Sequence, residues 1–229
     1  MKVKQTLLLG LMTFACAATL VSPAAVAKGN GGGASQLTAD EGKALQFMRE
    51  EEKLARDVYT TLGNQWKLPV FSNIANAEQQ HTDRIKSLLT TYRLADPVVN
   101  DAVGVFKEPA LNTLYTQLIA RGQTSLAEAL QVGALVEETD ISDLQKAISG
   151  TRQADIAQVY GNLMRGSRNH LRAFAKQIEN QGVTYQAQAL PQAEVDAIIN
   201  SPTERGGQGG GQGHGNGGGN GQGQGRRMQ

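Results

Sequence analysis

The chain has 229 residues, 22 basic and 21 acidic side chains and a formal net charge of +1. With that balance and no basic block in its central part, nucleic acid is not an expected partner. A single cysteine excludes an internal disulfide and a thiolate cluster, so stability must come from an apolar core.

Residues 1–27 read as a secretory signal. Lys2 and Lys4 give a positive start, an apolar run extends from Thr6 to Val21, and Ala25-Val26-Ala27 has the small-x-small spacing that signal peptidase cuts. The run, at about 16 residues, is shorter than the roughly 20 that a membrane span needs. An exported protein, periplasmic or extracellular, without a stable membrane anchor after cleavage is expected. Cys16 lies inside the apolar run. Residues 28–35 form a flexible Gly-rich leader.

Residues 36–202 have the length of one domain, and their periodicity is helical throughout. No alternating apolar run bounded by turns reads as a strand. The first long helix is expected from Thr38, an N-cap with Glu41 three residues on, to Leu62, closed by Gly63-Asn64. Its apolar stripe is Leu45, Met48, Ala55, Tyr59 and Leu62, with Glu52 at the vacant position. Arg49, Glu50, Glu51 and Lys53 read as a solvated face. The second helix is expected from Ser72 to Tyr92, with Ile74, Ile85 and Leu88 on its stripe and Glu78 and His81 in the gap.

A linking stretch from Arg93 to Gln123 holds a short helix from Pro109 to Arg121. The third long helix is expected from Thr124 to Ser149, with stripe residues Leu130, Ala134, Ile141, Leu144 and Ile148 and Glu137 in the gap. The fourth is expected from Ala154 to Asn180, with Val159, Leu163, Phe174 and Ile178 on the stripe and Ser167 and His170 in the middle. A small helix from Gln192 to Asn200 follows. From Gly206 to Gly225 nearly every residue is Gly, Gln or Asn, a composition that buries nothing, and residues 203–229 are expected to be a disordered tail. Short loops make neighbours within each half antiparallel, so the fold class is all-α. The long link between helices two and three fits the single crossover of a ferritin-like four-helix bundle.

Each long stripe is interrupted near its midpoint, and four midpoints of an antiparallel bundle share one height. Glu52, Glu78, His81, Glu137 or Glu138, and His170 therefore converge. Burying such carboxylates without a counter-charge costs several kcal/mol each. No Arg or Lys lies on those stripes, so divalent cations are the expected compensation. Two of the three histidines fall on core stripes, and Glu78 and His81 share one helical face at i, i+3. Oxygen ligands with imidazole suit iron, or manganese as the alternative. Tyr59 and Tyr160 read as core packing near this layer.

The residues then resemble a known pattern. Ferritin-like di-iron proteins supply one Glu from each of two helices and Glu-x-x-His from each of the other two. The stretch from Glu52 to Tyr59, EKLARDVY, resembles the first-helix motif of rubrerythrins, and Ala77 to His81, AEQQH, the second-helix motif. The stretches MREEEKLARDVY ending at Tyr59, GALVEETDI ending at Ile141 and GSRNHLRAF ending at Phe174 together resemble the ferritin-like domain-of-unknown-function 2202 family over Ala44 to Ile178. The resemblance implies a di-iron carboxylate site holding one or two ions per chain. One position departs from it: Ser167 stands where Glu-x-x-His170 would place a Glu. Either the third long helix makes up the carboxylate with Glu137, Glu138 or Asp140, or the second metal position is weak or empty.

Three functions follow as expectations. A redox metalloprotein would oxidise ferrous iron or reduce peroxide. A non-catalytic metal or ligand carrier would hold ions without turnover. A structural surface module would display the Gly/Gln tail.

Overall fold

The computed structural model describes residues 37–205; the expected signal, the leader and nearly all of the tail lie outside them. The described residues contain six helices and no strand: α1 (Ala39–Trp66), α2 (Pro69–Thr91), α3 (Pro109–Gly122), α4 (Leu126–Gly150), α5 (Ala154–Asn180) and α6 (Gln192–Ile199). The all-α class is as expected. None of these helices is long and apolar enough to cross a membrane.

The N-terminus of α1 follows from its capping box. The Thr38 side chain accepts from the Glu41 backbone N–H, and the Glu41 carboxylate accepts from the Thr38 N–H at 2.9 Å. Its C-terminus departs from expectation. Gly63-Asn64 does not stop the helix, which runs on to Trp66 and closes at Lys67 in the left-handed region. Gly63 serves packing instead: a Cβ there would sit 3.0 Å from that of Phe71 on α2. Trp66 Nε1 donates to the Gly122 carbonyl at 3.0 Å, which fixes the last turn against α3. α2 begins at Pro69, earlier than expected, because a proline at N1 needs no N–H partner. Ser125 rather than Thr124 caps α4, its hydroxyl accepting from the Glu128 N–H.

The four long helices form the bundle. A short connection joins α1 to α2, and another joins α4 to α5, so each pair is antiparallel. The start of α1 meets the end of α4, where Glu41 accepts from the Thr151 hydroxyl and the Arg152 N–H. The end of α2 meets the start of α5, where Tyr92 donates to Asp155 at 2.7 Å. The link 92–125 therefore carries the chain the length of the bundle, and it does so along α1. Its contacts climb that helix in order: Ala95 on Gln46, Asp96 on Arg49, Ala102 on Lys53, Asp101 on Arg56, Tyr115 on Thr61 and Gly122 on Trp66.

This cover corrects the reading of the charge run. Arg49, Glu50, Glu51 and Lys53 are all buried, Lys53 completely. Lys53 Nζ lies 2.5 Å from Asp57 Oδ2, donates to the Ala102 carbonyl and sits over the Phe106 ring. Glu50 accepts from the backbone N–H groups of Lys107 and Glu108. At Arg49, Glu50 and Lys53 the face expected to be solvated is thus an interface with the crossing link, whose backbone polar groups need such partners, whereas Glu51 is buried beside Asp140 and Asp143 of α4.

At the other boundary, Glu204 belongs to the packed chain rather than to a free tail. Its carboxylate pairs with Arg168 and Arg172, and its N–H donates to Asn169 Oδ1 at 2.9 Å.

Candidate metal centre

The bundle core is two apolar clusters with a polar layer between them. On one side, Leu45 and Met48 of α1 pack with Ile85, Leu88 and Leu89 of α2, Leu144 of α4, and Ile156, Tyr160 and Leu163 of α5. On the other side, Phe174 lies 5.2 Å from Tyr59 and 5.5 Å from Phe71 between ring centroids. The clusters hold the four helices in register, so the residues between them meet at one height.

Five of the expected site residues do meet there. His81 Nδ1 is 2.7 Å from Glu78 Oε2 and 3.2 Å from Glu52 Oε2. His170 Nδ1 is 2.7 Å from Glu78 Oε1 and 3.5 Å from Glu137 Oε2. Each oxygen of Glu78 thus faces a different histidine. Two groups result, Glu52–Glu78–His81 and Glu78–Glu137–His170, each with its ligand atoms within 4.8 Å of one another. The rings of His81 and His170 are stacked 5.6 Å apart. Gly166 allows this: a Cβ there would lie 2.6 Å from His81 Nε2, so the imidazole rests directly on the α5 backbone.

Glu138 does not join them. It is fully buried on another side of α4. Its carboxylate accepts from the Tyr185 hydroxyl and from the backbone N–H groups of Gln188, Ala189 and Leu190. Neighbouring helical residues point about 100° apart, so Glu137 and Glu138 serve different faces. Glu138 anchors the segment that follows α5, which settles the alternative in favour of Glu137.

Sequence reasoning under-reads Tyr59, while Asp140 is among the carboxylates it offers for the position of the missing one. Tyr59 was taken as core packing, yet its hydroxyl donates to Glu137 Oε1 at 2.5 Å and orients that carboxylate. Its stripe position puts it about two turns from Glu52, but the partner on α4 gives no local signal. Asp140 is 6% exposed and accepts a hydrogen bond from Ser167.

The electrostatics are those of a site short of positive charge. No Lys or Arg pairs with Glu52, Glu78, Glu137 or Asp140 among the described residues. Burial pushes the Glu52 carboxyl up to about 7, against the pull of His81. Burial also raises Asp140, and the charges of Glu52, Glu137 and Glu78 add to it. For Glu78, burial is outweighed by His81 and His170, which hold it well below the usual carboxylate range. Burial would lower His170, but the Glu78 and Glu137 charges raise it to about 10. His81 is raised well above its ordinary value in the same way by Glu78 and Glu52.

The donor set also fits cations on geometric grounds. Glu52 Oε1, Asp140 Oδ1 and His170 Nδ1 are buried and lack any hydrogen-bond partner. For His170 this holds although Glu78 Oε1 is only 2.7 Å away, because the angles are not those of a hydrogen bond. Buried polar atoms without partners are rare in folded proteins and call for an explanation. His81 Nδ1 does hydrogen-bond Glu52 Oε2 at 3.2 Å, but carboxylate oxygens and imidazole nitrogens gathered within 4.8 Å of one another are the donor types that divalent transition ions select.

The comparisons agree with this architecture. Residues 41–202 match the family described as an uncharacterized protein domain, DUF2202. The chain is 51% identical over 170 residues to the uncharacterized protein MJ0754 of Methanocaldococcus jannaschii, covering 74% of this chain and 92% of that one. It is also similar to the crystal structure of the hypothetical protein MJ0754 from Methanococcus jannaschii, with a TM-score of 0.72 and 47% identity over 79% of this chain and 100% of that chain. On the extent of these matches, the chain belongs to the DUF2202 family.

Proposed function

We propose that this protein is an exported, ferritin-like metal-binding protein that holds two divalent transition ions, iron or in its place manganese, at the mid-bundle layer. The carrying observation is Glu78, whose two oxygens each lie 2.7 Å from a different histidine. Glu78 would be shared by two cations, with Glu52 and His81 helping to hold one and Glu137 and His170 the other. Bound iron supplies a one-electron couple at each site, so a pair matches the two-electron reduction of peroxide or the oxidation of ferrous iron by dioxygen.

The chain's own residues set the conditions. Tyr59 fixes the Glu137 carboxylate by donating to Oε1, leaving Oε2 to face His170. The apolar clusters on either side limit water and strengthen each charge interaction in the layer. Without ions, the charges of Glu78, Glu52 and Glu137 hold protons on His81 and His170 at neutral pH, and ion binding by these imidazoles would release them.

A second reading, a metal carrier without turnover, is favoured by one observation, Ser167 in place of a fourth-helix carboxylate. The test has two stages. Elemental analysis of protein purified without a His-tag should give about two iron or manganese ions per chain; a metal content near zero sinks both readings. Consumption of oxygen or peroxide by the anaerobically loaded ferrous form then separates them, with turnover supporting the redox reading and a stoichiometric silence the carrier.

A further inference from the structure

α2 and α5 present the same face to the layer with one difference. α2 offers Glu78 and His81 at i, i+3; α5 offers Ser167 and His170 at the same spacing. A serine side chain ends too soon to reach the middle of the layer. Ser167 is nevertheless fully buried, and its hydroxyl donates to Asp140 Oδ2. The Leu163 carbonyl, 3.0 Å away, is the usual acceptor for a helical serine, but a carboxylate is the stronger one.

Asp140 stands three residues after Glu137 and shares its face of α4. It is 6% exposed, and Oδ1 has no hydrogen-bond partner. A buried carboxylate with one oxygen held by a hydroxyl and the other unpaired is costly unless it takes up a proton or a cation takes the free oxygen. The charges of Glu52, Glu137 and Glu78, the three carboxylates of the layer, act on it, and the buried Glu51 lies near it as well. Glu52, Glu78, Glu137 and Asp140 together would balance two divalent ions with both imidazoles neutral.

We propose that Asp140 is the fourth carboxylate ligand of the metal pair, supplied by α4 in place of α5, and that Ser167 is the residue that positions it. The centre is then assembled from Glu52, Glu78-x-x-His81, Glu137-x-x-Asp140 and His170. The missing carboxylate has moved across the helix interface, and the residue it left behind became its hydrogen-bond donor. This rests on the metal reading given above.

The test counts manganese(II) ions by equilibrium dialysis, with circular dichroism as the check of folding. The wild type should bind two ions. Asp140→Asn keeps the shape and loses the charge; it should bind one ion or none at concentrations that fill the wild type. Ser167→Ala should keep both ions with affinity lowered about 10- to 100-fold, the range for loss of an outer-shell partner. The swap Asp140→Ser with Ser167→Glu returns the carboxylate to α5 and should restore two ions. Two ions in Asp140→Asn, at wild-type affinity, would overturn the assignment of Asp140 while leaving the metal reading intact. A swap that binds no better than Asp140→Asn would overturn the idea that the two positions exchange one carboxylate. A wild type that binds no manganese would overturn the metal reading and this inference together.

Discussion

Glu137 and Glu138 are adjacent, both buried and chemically identical, yet the structure gives them opposite tasks. Their glutamine variants should therefore fail in opposite ways. Glu138 holds the backbone N–H groups of Gln188, Ala189 and Leu190 and the Tyr185 hydroxyl. Glutamine keeps the shape but turns the three backbone N–H bonds at Oε2 into neutral ones, each such change worth about 1 kcal/mol, and puts an NH2 group where the Tyr185 hydroxyl now donates. The expected loss is about 3 kcal/mol, or roughly 6–12 °C in Tm for a domain of this size. Metal stoichiometry should not change. Glu137→Gln removes a negative charge from a layer with no Lys or Arg, so Tm in the presence of chelator should hold or rise while manganese binding falls. Thermal melts in EDTA and equilibrium dialysis on the same preparations read both effects. The reverse pattern, Glu138→Gln losing metal at an unchanged Tm, would refute the separation of the two faces.

Gly166→Ala should displace the His81 ring, since the added Cβ would lie 2.6 Å from Nε2; manganese affinity should fall about 10-fold or more with helical content unchanged, and unaltered binding would contradict the close approach. Lys53→Met removes one of the two basic partners of the buried Asp57, Arg56 being the other, and urea melts should show a loss of about 2 kcal/mol, whereas a solvated Lys53 would cost almost nothing. Chains ending after Arg205 and after Pro202 should differ by about 1 kcal/mol, because the shorter one lacks the Glu204 ion pairs with Arg168 and Arg172. That difference should depend on pH in one direction: Arg168 holds the Glu204 carboxyl down to about 2 from 4.5, so its stabilisation is complete above about pH 4.5 and fades as pH falls towards 2. A gap between the two chains that stays constant down to pH 2 would contradict this.

Much of this site could be read along the chain because it repeats the same interruption four times. Glu52, Glu78, His81, Glu137 and His170 each replace an apolar residue on a helical stripe, and a stripe position is a local property. What sequence reading missed is set by contacts between distant segments. Arg49, Glu50 and Lys53 look like a solvated face because helical periodicity reports polarity, and it cannot show that the link at 95–108 lies over them. Glu137 and Glu138 could not be separated because the cover on Glu138 comes from residues 185–190, about fifty positions on. Tyr59 sat on the expected stripe, but its role depends on a carboxylate one helix away. Gly63 was read as a stop signal, and it is a packing contact with α2.

The central claim is that Glu78 bridges two cations, and anomalous X-ray diffraction from crystals soaked in manganese(II) tests it most directly. The account predicts two peaks within the mid-bundle layer, one shared by Glu78, His81 and Glu52 and one shared by Glu78, His170 and Glu137. A map with no peak beside the Glu78 carboxylate, with manganese bound elsewhere or not at all, would contradict it.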